Sequence, residues 1–245
     1  AVCGDIAMRV LRTLLLLAIV GSAHAHIPLS PAILDDAFEE LQHAQAAAEN
    51  ATDKTVQAAA IYDIARAANE LMALLNQEVQ FHGFDQQSLL DEVVFRAVDL
   101  GVEILWSENH ERYFYAGYAF RRYLEVMPEG INAANSHYHL IENGFYLGDA
   151  ENRESMVARA NIENEFLQQY PDFDNAGRVA MFLSIDYRDI WRNCKAANDA
   201  ECTIHYAKLN RDHLAATSVR YDGSRTAELA QTMLQRFETE IENSD

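Results

Sequence analysis

The sequence predicts an all-α protein built of antiparallel helix hairpins, and three observations point there. Four prolines and ten glycines in 245 residues are too few for a β-rich chain dense in turns. Apolar residues recur at helical spacing between turn signals, and no segment alternates at the strand period. The chain also matches itself when slid by about 43 positions, the kind of period that marks stacked helical units. Hydrophobic residues at 49% and aromatics at 10% supply enough apolar surface for one substantial core or one short α-solenoid.

Met8 to Ala25 reads as a secretory leader. Arg9 and Arg12 form its basic start, Leu14 to Val20 its apolar stretch, and Ala23-His24-Ala25 its small-residue cleavage site. Residues 1–25, with Ala1 to Ala7 upstream of the expected start at Met8, are therefore set apart from the fold. The apolar run is short for a membrane span. No cysteine follows the cleavage site to take a lipid anchor. The mature chain is expected to be soluble, without an integral membrane span, in the periplasm or secreted.

The elements follow in order. Ser30 and Pro31 supply a cap and a first helical proline for a helix over about Ala32 to Glu49. The stretch Asn50 to Asp53 breaks it. A long helix covers about Lys54 to Gln80 and ends at Gly83. Asp85 caps a third, which runs to about Trp106, and Ser107 to His110 turn into a fourth over Glu111 to Val126. Five more span about Asn132 to Tyr146, Arg153 to Gln169, Asn175 to Arg192, Ala200 to Val219 and Ser224 to Glu242. Nine helices on short turns divide into an N-terminal bundle or set of capping repeats, residues 26–110, and a repeat region, residues 111–245.

The self-match sets Tyr123-Leu124 on Phe166-Leu167, Pro128 on Pro171, and Asn132-Ala133 on Asn175-Ala176. Each copy is an aromatic helix, a proline that stops it, an Asn-Ala entry and a second apolar helix. The first copy also carries Ala116, Phe120, Tyr123 and Pro128 at the spacing of the second helix of a tetratricopeptide repeat. Tyr113 to Tyr146 and Val157 to Trp191 thus resemble the tetratricopeptide-type repeats of exported bacterial envelope proteins, among them outer-membrane assembly lipoproteins and periplasmic division coordinators. The period exceeds the 34 residues of that family, and its Trp-Leu-Gly-Tyr positions are unmatched. The resemblance implies stacked hairpins that bind a protein or peptide partner in a groove.

Charge and cysteines narrow the options. A formal net charge of −19 repels nucleic acid and anionic lipid. Cys194 and Cys202 flank a polar turn between two helical patterns, the arrangement of a structural disulfide in an exported protein. Such a short loop stabilises by about 2–3 kcal/mol. Neither cysteine sits in a redox Cys-x-x-Cys motif.

The candidate contacts are Tyr115, Tyr118, Arg122, Tyr138 and Asn175, because tyrosines crowd the fourth helix and give large contact area at low entropic cost. Six aromatics within Tyr113 to Tyr123 cannot share one helical face. The rival is a small-ligand or metal-binding protein that uses His26, His137 and His139. His137 and His139 point to different helix faces, and no metal or cofactor motif is present. Glu163, Glu165, Glu238, Glu240 and Glu242 read as solvated, and Asp172 and Asp174 as helix caps. The sequence holds no nucleophile elbow, phosphate loop, zinc-protease run or dinucleotide fingerprint. It reads as a binding protein rather than an enzyme.

Overall fold

The computed structural model describes residues 29–83, 87–148 and 152–243. Residues 1–25, read above as a leader, lie outside these, as do His26 and Asp85. Among the described residues the chain is all-α apart from one small hairpin. The helices are α1 Pro31–Asn50, α2 Lys54–His82, α3 Gln87–Asp99, α4 Tyr118–Val126, α5 Ala133–Leu147, α6 Arg153–Gln169, α7 Ala176–Ala196, α8 Ala200–Arg220 and α9 Arg225–Glu242. The hairpin, β1 Ile104–Ser107 and β2 Arg112–Tyr115, stands between α3 and α4.

The ends form for identifiable reasons. Ser30 Oγ accepts from the Ile33 N–H, with Pro31 at the first helical position. Asp53 accepts from both Thr55 and Val56 at the start of α2. Gly83 closes α2 at φ 59°. At the end of α3, Val102 N–H donates to Ala97 and Gly101 N–H to Val98, with Gly101 at φ 68°. That pair of bonds is a Schellman stop.

The stop overturns the expectation that the third helix reaches Trp106 and the fourth begins near Glu111. Ile104 to Trp106 and Tyr113 to Tyr115 instead pair antiparallel, Trp106 opposite Tyr113 and Ile104 opposite Tyr115. Bulky aromatic and β-branched residues suit a short pleated pair. The outer edge of β2 is satisfied by α2: Asn76 accepts from the Tyr113 N–H at 2.7 Å and donates to its carbonyl at 2.9 Å. Gly117, at φ 81°, then starts α4.

One core runs from Leu29 to Ala133. It joins α1, α2, α3, the hairpin and α4, and it crosses the 110/111 position that falls inside the hairpin turn. Two smaller cores follow. One centres on Tyr138, Phe166 and Phe182, the other on Met156, Leu183 and Ile190.

From α4 onward each helix packs on the next, and α5 also touches α7, as α7 touches α9. Among the described residues α4, α6 and α8 make no comparable contacts with one another. The layer of α5, α7 and α9 is also tied by charge. Arg178 of α7 meets Glu142 of α5 at 2.6 Å, and Arg188 meets Glu240 of α9 at 3.0 Å.

The internal repeat is present in the backbone bonds of its turns. Met127 N–H donates to Tyr123 and Tyr170 N–H to Phe166. Gly130 donates to Met127 as Phe173 does to Tyr170, and Ala133 to Gly130 as Ala176 does to Phe173. Asn132 at φ −98°, ψ 8° and Asn175 at φ −96°, ψ 10° occupy the same conformation. Asn175, not Asp172 or Asp174, is the N-cap residue of α7, and its side chain makes no cap bond. Asp172 instead reaches Arg220 at 3.6 Å.

Candidate functional site

A groove of about 680 Å³ lies between α3 and the hairpin. Helix α3 buries Leu90, Val93 and Ala97 against the core, which leaves its other flank to the groove. Phe95 there is 68% exposed and Val98 53% exposed. Across from them stand Trp106 and Tyr113, whose rings meet edge-on at 5.0 Å. Asp91, Glu108 and Glu111 line the same groove, and among the described residues no lysine or arginine does. The nearby arginines are engaged elsewhere. Arg96 lies 4.1 Å over the Phe38 ring and pairs with Asp35, and Arg112 lies 5.3 Å over the Phe114 ring. Burial, with help from the Asp91 charge, raises the Tyr113 hydroxyl above the ordinary tyrosine range. The groove is therefore an apolar floor with an anionic rim.

The five contacts expected from sequence divide. Tyr115 is fully buried, its hydroxyl accepts from the Ala119 N–H at 2.7 Å, and burial pushes it up to about 12. Tyr138 is 4% exposed, packed beside Phe173 in the second core. Both are core residues, which corrects their reading as contacts. Tyr118 is 55% exposed, and Arg122 and Asn175 are exposed as well. Tyr118 and Arg122 lie on α4 and Asn175 at the start of α7, two helices without substantial mutual contact.

His137 and His139 diverge, as their spacing requires. His137 lies 5.9 Å from the Tyr170 ring, and burial lowers its pKa. His139 stacks on Phe120 at 4.7 Å and lines a smaller groove of about 280 Å³ with Tyr62, Asn69 and Asn135. Among the described residues no group of three or more His, Cys, Asp or Glu is placed to hold a metal ion. No described helix is long and apolar enough to cross a membrane. Cys194 and Cys202 are bonded, with Cα atoms 5.7 Å apart, across the turn from α7 to α8.

No family model matches this chain, and no curated protein matches it. A solved structure titled "DHF119 filament" is similar over 86% of this chain and 95% of that one, at 17% identity. Its TM-score is 0.27.

Sequence reasoning missed a buried polar cluster between α6 and α7. Glu163, expected on a solvated face, is 1% exposed, whereas its neighbour Glu165 is exposed. One Glu163 carboxyl oxygen has no hydrogen-bond partner. Desolvation, reinforced by Asp186, pushes the Glu163 carboxyl up to about 9. Asp186, also 1% exposed, receives two bonds from Arg159, at 2.7 and 3.1 Å. The signal was available: Met156, Ala160, Glu163 and Phe166 are spaced as one face of α6, and all four are buried. Glu240 is likewise bound rather than free, held by Arg188 and Arg192.

Proposed function

We propose that this chain is an exported helical-repeat scaffold that binds a protein or peptide partner in the cell envelope. The observation that carries the reading is the open groove on α3, where Phe95 and Val98 face solvent beside Trp106. Contiguous exposed apolar surface rimmed by polar groups is the usual mark of an interaction site. A stack of braced hairpins is a rigid support for such a surface. The leader-like sequence of Met8 to Ala25 and the Cys194–Cys202 bond support a periplasmic or secreted location. The tetratricopeptide resemblance of the repeated hairpins supports the same class of function.

The test is photo-crosslinking in the native cell envelope, with the crosslinker placed in turn at Phe95, Ile131 and Ile204, all exposed apolar positions. A discrete protein adduct at any of the three supports a binding scaffold. Absence of an adduct at all three, from a chain expressed at its native level, would overturn it.

A further inference from the structure

The geometry points to a specific chemistry for the α3 groove: it takes a basic peptide segment whose bulky apolar residue is flanked by lysine or arginine. This rests on the binding function proposed above and names the partner's chemistry. Two observations combine. Phe95, Val98 and Trp106 provide an apolar floor. Asp91, Glu108 and Glu111 stand around that floor, while Arg96 and Arg112, which could have neutralised them, are turned to Phe38 and Phe114. An anionic rim with no lysine or arginine among the described residues that line the groove is complementary to a cationic partner.

The same charges argue against other occupants. A second copy would bring one acidic rim onto another acidic chain, with a formal charge of −19 on each, and like charges brought together oppose association. Nucleic acid and anionic lipid surfaces meet the same repulsion. The apolar anchor carries most of the affinity, because exposed rim pairs contribute little individually. The rim acids act chiefly on selectivity, association rate and salt dependence.

The experiment is fluorescence anisotropy of a short labelled peptide of alternating leucine and lysine, titrated with the full chain at low and high salt. Its comparator replaces every lysine with glutamate. Phe95 is exposed, so Phe95→Ala keeps the fold, which circular dichroism and melting temperature verify. The lysine peptide is expected to bind and the glutamate peptide not. Phe95→Ala should weaken binding about tenfold, and the double change Glu108→Gln, Glu111→Gln about threefold to tenfold, with a shallower salt dependence. Ile204→Ala, on the exposed side of α8, should leave binding unchanged.

Three outcomes overturn the assignment. One is no binding of the lysine peptide, and another is equal binding of the glutamate peptide. The third is binding indifferent to Phe95→Ala, which reduces the attraction to diffuse charge. A partner that crosslinks at Ile131 or Ile204 but never at Phe95 would preserve the scaffold function and remove this site alone.

Discussion

The Asn132 N–H donates to the Tyr123 hydroxyl at 3.1 Å, closing the first repeat turn from the inside. The second copy solves the same turn differently. Phe166 replaces Tyr123 and has no hydroxyl, and Phe173 stands where the first copy has Gly130. Its ring meets Phe166 edge-on at 5.7 Å. A side chain on Gly130 would collide with the Tyr123 hydroxyl and with Met127. Tyrosine with glycine and phenylalanine with phenylalanine are thus paired choices. Tyr123→Phe should cost about 1 kcal/mol, a typical net hydrogen bond. Denaturant unfolding measures it, and an unchanged midpoint would show that water replaces the bond without loss.

Gly117 and Gly223 separate backbone strain from collision. Both have positive φ, 81° and 74°. A Cβ at Gly117 would meet Leu140 Cδ2 at 2.7 Å, whereas at Gly223 nothing lies within 4 Å. Gly223→Ala should cost about 1 kcal/mol from the left-handed conformation alone. Gly117→Ala should cost roughly twice that or more. Equal midpoint shifts in urea would mean that Leu140 moves aside freely.

Glu163 gives stability a pH slope. Its folded pKa, about 9, lies above the ordinary value of 4.5, so between these limits the folded state holds a proton that the unfolded state has released. Its contribution is complete below about pH 4.5 and is lost as pH rises through about 9. Glu163→Gln should therefore unfold like the wild type near pH 4 and become more stable than it toward pH 9. Parallel urea curves at pH 5, 7 and 9 test the sign. A wild-type advantage that grows with pH would refute it.

Arg159→Ala should be among the most harmful single changes in the chain. It leaves the Asp186 carboxylate 1% exposed without its two-bond partner, a loss on the order of 3–5 kcal/mol. The double change Arg159→Met with Asp186→Leu should recover much of that loss. Melting temperatures of the three proteins decide it.

Reduction of Cys194–Cys202 should lower stability by about 2–3 kcal/mol, the value for a short closed loop. Urea unfolding with and without reductant measures the difference. An unaffected midpoint would show that the turn after Ala196 is held by its caps, with Asp199 accepting from the Cys202 N–H.

Most helices were legible because their period and end signals agree. Arg153–Gln169 begins and ends where apolar spacing and Pro171 place it, and Ser30 and Asp53 cap as their residue types suggest. The hairpin was not, because four-residue strands are too short for the period-2 pattern to stand out from helix. Gly101 and Gly117 were the usable signals, since both sit at positive φ and bracket the strands. The groove was less legible still. It exists only because the Schellman stop at Gly101 turns Trp106 and Tyr113 back toward α3, a long-range meeting that local spacing does not encode. Tyr115 and Tyr138 looked like contacts because aromatic content alone does not distinguish a core ring from a surface one.

The division of apolar packing has a mechanical consequence. Leu29 to Ala133 share one core, while the later hairpins rest on two small ones and on a few residues such as Leu214, Ala230 and Phe237. Cooperativity should therefore fade along the chain, because each late unit leans only on its neighbours. Amide exchange would be fastest in α9, slower through α7, and slowest in α2, so that the molecule unzips from its C-terminal end. The α3 groove sits on the slow-exchanging block, anchored where the protein opens last.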